Sequence, residues 1–210
     1  DILADPTGAI YWPAQETIAV ADLHLEKGSS FARQGSMLPP YDTKSSLDRL
    51  AEIAKRLGPT RIICIGDSFH DQEAGGRLAP ADQQRLKDLT GFCRWIWICG
   101  NHDPQPPRQW GGEAMAELSI GPLVFRHEAI AGRAPGEVSG HFHPKIGLSV
   151  RGRQVGGRCF VHDGRRLILP AFGAYAGGLD ARDPAIARLF PDGFQVDVIG
   201  QGRLHRLHVQ

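Results

Sequence analysis

Apolar runs and polar breaks alternate along the first half of this chain. Thr17–Ala21 (TIAVA) is short, apolar and β-branched, and it stops at Asp22. Residues 43–57 place Leu47, Leu50, Ile53, Ala54 and Leu57 at helical spacing, and Gly58-Pro59 ends that pattern. Arg61–Ile65 (RIICI) reads as a second buried strand and breaks at Gly66-Asp67; residues 80–89 read as a second helix; residues 95–99 (WIWIC) read as a third strand and break at Gly100-Asn101. The order strand-helix-strand-helix-strand predicts an α/β sheet. Residues 27–42 show no strong period and are expected as a loop.

Beyond residue 118 the pattern shortens. Leu123–Arg126, Glu137–Ser139 and residues 146–150, 158–162 and 167–169 are strand candidates, with Asp163-Gly164 as a tight turn between the last two. Residues 194–199 and 204–209 form a further hairpin about Gly200 and Gly202. A helical half and a strand-rich half together suit an α/β sandwich of two sheets flanked by helices.

At 210 residues the chain is expected as one domain over residues 1–210. Its 22% charged and 41% apolar residues are ordinary globular values. A net charge of +1 gives no global attraction to nucleic acid. Locally, residues 126–166 hold eight Lys/Arg against three Asp/Glu, a balance suited to a phosphate backbone or to a solvated surface. The four cysteines form no CxxC pair, and Cys64 and Cys99 lie in apolar runs, where the thiol behaves as a small buried hydrophobe. With no signal peptide and no apolar run near the roughly 20 residues of a membrane span, the expectation is a reducing, cytoplasmic setting without disulfides.

Six of the nine histidines fall in five short clusters: Asp22-x-His24, Gly66-Asp67-Ser-Phe-His70-Asp71, Gly100-Asn101-His102-Asp103, Arg126-His127-Glu128 and Gly140-His141-Phe-His143. Each follows a strand candidate or lies beside one. In open α/β sheets ligands bind outside the carboxyl ends of strands, so loops leaving one edge can converge. Asp22-x-His24 alone is a common pattern and Gly66-Asp67 is ordinary turn chemistry, whereas Gly100-Asn101-His102-Asp103 is an odd way to leave so apolar a strand and His141-x-His143 is a good metal pair or a surface turn. Together they supply too many oxygen and nitrogen donors for one metal ion and enough for two. Two divalent ions about 3.5–4 Å apart need a carboxylate between them. The mixture suits Mn, Fe, Co or Zn over Ca, and the lack of thiolate ligands argues against a structural zinc site.

The ordered set D-x-H, G-D, G-N-H-D, H and G-H-x-H over residues 22–143 resembles the calcineurin-like metallophosphoesterase superfamily. That resemblance implies a four-layer αββα fold. It implies that Asp22, His24 and His143 hold one ion, that Asn101, His127 and His141 hold the other, and that Asp67 bridges. It makes His102 the non-ligand acid at the scissile phosphate, oriented by Asp103. The protein-phosphatase branch reads G-D-x-x-D-R-G; here Gly66–Asp71 has no following Arg and resembles the nuclease branch, in which a histidine at the His70 position assists diester cleavage or orients a ligand. Longer stretches (ADLHLEKGSSFARQGSMLPPYDT, WIWICGNHDP, GEVSGHFHPK, LPAFGAYAGGLD) resemble the bacterial ligase-associated DNA-damage-response endonuclease family over roughly residues 20–182. This implies a manganese-dependent phosphodiesterase, a single-strand DNA endonuclease in repair, associated with a DNA ligase and an Lhr-type helicase. Only the resemblance points to DNA; the residues themselves reach phosphoester hydrolysis.

Arg33 and Phe31 are candidates for a phosphate and a base, and Lys145, Arg151, Arg153 and Arg158 for backbone contacts. Phe142 either lines the cleft or is buried. His162, His205 and His208 show no partner in sequence. Two other readings stay open: a phosphomonoesterase or nucleotide pyrophosphatase of the same fold, and a non-catalytic protein-binding scaffold, against which the full set of seven ligand types counts.

Overall fold

The computed structural model describes residues 1–150 and 153–209. Two sheets face each other. The first has strand order β1 (Leu3–Ala4), β2 (Ile10–Trp12), β3 (Thr17–Ala21), β4 (Arg61–Ile65), β5 (Arg94–Ile98) and β6 (Glu113–Met115). β3 to β6 run parallel, and β1 and β2 pair antiparallel at one edge. The second sheet contains β7 (Glu117–Ile120), β8 (Leu123–Arg126), β9 (Glu137–Ser139), β10 (Lys145–Val150), β11 (Arg153–His162), β12 (Arg166–Ile168), β13 (Phe194–Gly200) and β14 (Arg203–Val209). β8, β9 and β12 run parallel there.

Side-chain alternation divides the core into layers. Ile18, Val20, Ile62, Cys64, Trp95 and Trp97 point outward from the first sheet onto α2 (Asp42–Leu57) and onto α4 (Pro80–Phe92), which follows the short α3 (Ala74–Arg77), and meet Leu47, Leu50, Ile53, Leu86 and Leu89. Ala19, Ala21, Ile63, Ile65, Ile96 and Ile98 point inward and meet Phe125, Val138, Phe160 and Leu169 of the second sheet. The other face of that sheet (Cys159, Val161, Ile168, Val196) is covered by Ile186, Leu189 and Phe190 around α5 (Pro184–Ala187). This is the expected sandwich flanked by helices, with a thin outer layer on one side. α2 ends on Gly58 at φ 56°, whose amide donates to the Ala54 carbonyl.

Several expectations are corrected. Residues 27–33 are not a loop: α1 (Lys27–Arg33) forms there despite a weak helical composition, because the buried Asp42 carboxylate accepts the Gly28 amide at 3.0 Å and pins its first turn to α2. β1, β2, β6 and β7 carry too few residues to show a period. α5 had a readable signal, since Asp183 accepts from the Ala185 amide in front of Pro184. Cys99 lies just past β5 and is half-buried. His162 has a partner after all, Asp197 at 3.2 Å. No helix among the described residues is long and apolar enough to cross a membrane.

Candidate metal centre

The ends of β3, β4, β5, β8 and β9 deliver the histidine clusters to one place. Asp22, Asp67 and Asn101 lie just past the parallel strands of the first sheet; His127 and His141 lie past β8 and β9 of the second. Main-chain hydrogen bonds knit the loops together: Asp22 to Gly66, His24 to Asp67, Leu25 to Ser68 and Gly140 to His127. Three of the five clusters open on a glycine that is needed because the loops touch. A Cβ on Gly66 would stand 2.1 Å from His127 Nδ1, one on Gly100 2.2 Å from the Asp67 amide, and one on Gly140 2.6 Å from Asp22 Oδ2. Asp22, His24, Asp67, His141 and His143 all have positive φ, a region that Asp and His enter more readily than most residues but still at a cost.

Two donor groups result. In the first, His24 Nε2 and His143 Nε2 face each other at 3.2 Å, and His143 Nε2 is 3.3 Å from Asp22 Oδ1. In the second, His127 Nε2 is 2.9 Å from Asn101 Oδ1, His141 Nδ1 is 3.0 Å from the same oxygen, and the two imidazole nitrogens are 3.2 Å apart. Asp67 Oδ2 faces both groups, 3.9 Å from His24 Nε2 and 3.4 Å from His127 Nε2. His127 Nδ1 sits 3.4 Å from the Ile65 carbonyl, which favours its proton on that side and leaves Nε2 turned toward Asn101 with a lone pair.

Acceptors aimed at one another at these distances are stable around a positive charge, and the electrostatics agrees. Burial lowers the proton affinity of His127, but Asp67 and Asp22 outweigh it and leave it raised. Burial, then His143, drives His24 down to about 2, the neutral state a ligand requires. Burial opposes ionisation of Asp67, yet His127 and the His102 amide bring its carboxyl to about 2. Two carboxylates, an amide oxygen and four imidazoles thus fit a pair of divalent transition-type cations: Asp22, His24 and His143 for one, Asn101, His127 and His141 for the other, Asp67 between. His24, His70 and His102 also come within reach of a common point.

The remaining candidates divide. His102 and His70 stack at 5.2 Å between ring centroids and 27° between planes. Asp103 does not orient His102. Its Oδ2 accepts from the Ser68 and Phe69 amides, and burial pushes it up to about 7, so it shapes the loop after β4. The His102 ring is held instead by the His70 carbonyl. Phe31 lies 5.9 Å from the His70 ring. Arg33 is tied to Glu73 in an exposed pair. Arg158 is structural: it donates to the carbonyls of Ala171 at 2.6 Å and Thr7 at 3.3 Å. Lys145 is exposed at the start of β10 and Arg153 opens β11, while Arg151 lies outside the described residues. Within the basic stretch Arg166 is engaged inside the fold by Glu137, and Arg126 pairs with the exposed Glu117. Phe142 is buried in the outer core. Two residues escaped the sequence reading: Lys27, a cation three places after His24, and Arg77, which grips Asp71 at 2.7 Å and Ser29 at 2.9 Å and so fixes the His70 loop against α1.

The sequence profile of calcineurin-like phosphoesterases matches residues 17–170. The chain belongs to the calcineurin-like phosphoesterase family. The crystal structure of a Pseudomonas putida nuclease, MPE, superposes with a TM-score of 0.75 at 26% identity, over 98% of this chain and 94% of that one. The E. coli phosphoesterase Yfce superposes at 0.46 and 13% identity, over 92% of this chain and 99% of that one. No curated protein sequence matches. Family membership makes the chain a metal-dependent phosphoesterase, and the clustered Asp and His donors are its candidate metal ligands.

Proposed function

We propose that this phosphoesterase is a phosphodiesterase that cuts DNA, with single-stranded DNA as substrate and manganese as the working metal. The observation that carries the reading is the stacked pair His70 and His102 beside the donor groups, with no arginine in the motif Gly66–Asp71. A monoester dianion calls for a strong cation at that position; a diester carries one charge less and leaves a bulky alkoxide that needs a proton. The likeness to a nuclease over nearly the whole of both chains supports the same reading.

Asp22, His24 and His143 would hold one cation, Asn101, His127 and His141 the second, with Asp67 shared. When bound, the pair neutralises phosphate oxygens and makes water acidic enough to attack at neutral pH. The chain's own acid is His102. Its Nδ1 donates to the His70 carbonyl at 2.8 Å, which leaves Nε2 as the atom that holds the second proton of the imidazolium and passes it to the departing oxygen, the ring returning to the neutral Nδ1–H form. His70 packs against that ring and limits its rotation. An internal cutter in DNA repair, acting in the cytoplasm beside a DNA ligase and an Lhr-type helicase, belongs to the same proposal.

The test is a Mn²⁺-dependent assay on circular single-stranded DNA, where only an internal cutter can act. Linear product is expected. Dominant turnover of an aryl monoester over a bis-aryl diester, with no cleavage of the circle, would overturn the reading.

A further inference from the structure

α1 carries a cation and an aromatic ring on one face, next to the stacked histidines. Lys27 and Phe31 are four residues apart, which places them side by side on the helix. Lys27 Nζ stands 5.8 Å from the Phe31 ring centroid, and that ring lies 5.9 Å from His70 at a 40° tilt. Lys27 is half-buried; no carboxylate among the described residues forms an ion pair with it, and the Asp42 carboxylate offsets only part of its burial. A part-desolvated ammonium whose charge is only partly offset gains from an anion placed beside it.

The helix is also held rigidly. Gly28 has no room for a Cβ, which would stand 2.9 Å from Asp42 Oδ1, and Arg77 bonds Ser29 on the other side. Arg33, the cation the sequence offers first, points to Glu73 in an exposed pair.

We infer that Lys27 and Phe31 form a nucleotide subsite beside the reacting phosphate, in which the ammonium binds the neighbouring phosphate and the ring stacks its base. The inference rests on the diesterase reading. It adds that one flanking nucleoside is recognised, and on which side of the site. Stacking against an aromatic ring tolerates any base, and an ammonium reads charge alone, so the subsite suits single-stranded nucleic acid without sequence preference.

The test compares thymidine 5′-(p-nitrophenyl phosphate) with methyl p-nitrophenyl phosphate. Both release the same phenolate and differ only in the nucleoside. Phe31→Ala should cut kcat/KM on the nucleoside ester by about 10- to 100-fold, the range of one stacking contact, and leave the methyl ester unchanged; Phe31→Leu covers the case that the alanine variant is unstable. Lys27→Ala should raise KM for a short oligonucleotide about tenfold, with kcat and bound metal unchanged, and lower the salt dependence of its binding by about one counterion. Lys27→Arg should restore both. Equal losses on the two esters, or an unchanged salt dependence, would overturn the subsite. Failure of the wild type to cut any DNA would instead overturn the DNA reading, and the ester comparison would still decide the subsite.

Discussion

The ring Nδ1 of His102 lies 2.8 Å from the main-chain oxygen of His70. A carbonyl oxygen only accepts, so Nδ1 holds a proton and the tautomer of His102 is fixed by its neighbour's backbone. Its Nε2 is left facing the site, 4.0 Å from Asp67 Oδ2. The loop after β4 therefore sets the chemistry of a residue that follows β5.

His102 contributes no side-chain atom to either donor group. His102→Ala should keep full metal content while slowing diester cleavage by about 10²–10⁴-fold, the usual range for a positioned acid. Metal analysis alongside a bis-aryl phosphate assay checks this. Loss of metal with the side chain would place His102 among the ligands instead.

Much of the fold could be read because its strands are buried on both faces. Thr17–Ala21 and Arg61–Ile65 form as expected, and each stops where an aspartate must leave the sheet. The histidine clusters were legible for the same reason, since a strand end fixes where its next residue goes. What the sequence hid depends on contacts made far along the chain. α1 exists because Asp42 grips Gly28, and no local period announces that. Asp103 looked like a partner for its neighbour His102, but its carboxylate turns back to amides 34 and 35 residues earlier. Arg158 and Arg166 looked like surface charge until carbonyl oxygens and Glu137 claimed them.

The glycines before the clusters give a second prediction. Gly100 has no room for a methyl group, which would stand 2.2 Å from both the amide nitrogen and Oδ1 of Asp67. Gly100→Ala must displace the loop that presents the shared carboxylate. Metal content and activity should fall together, by more than about tenfold, as expected when a positioned group shifts by an ångström or so. Gly91, inside α4, has nothing within 4 Å, and Gly91→Ala should leave activity unchanged and add roughly 0.5–1 kcal/mol of stability. Equal behaviour of the two variants would mean that the loops are not in contact.

The buried pair Glu137 and Arg166 gives a third. The two are 2% and 4% exposed, with Arg166 Nε 2.6 Å from Glu137 Oε2. They sit at the starts of β9 and β12, the ends of those strands away from the donor groups. Arg166 also donates to the carbonyls of Leu189, Ile130 and Gly132, and Glu137 accepts the Ile130 amide. Removing the arginine takes the close cation from a buried carboxylate, which keeps the Ile130 amide and Arg126 Nε at 3.7 Å, and leaves three carbonyls without their donor. Arg166→Ala should cost about 3–5 kcal/mol, the range for breaking a buried pair, with kcat of the remaining folded protein unchanged. Replacing both partners, as Glu137→Leu with Arg166→Met, should recover a large part of that loss because no charge is then stranded. Urea unfolding of the three variants measures it. A single variant that loses less than about 1 kcal/mol, the scale of an exposed ion pair, would show that solvent reaches the pair and that the two residues do not hold this end of the sandwich.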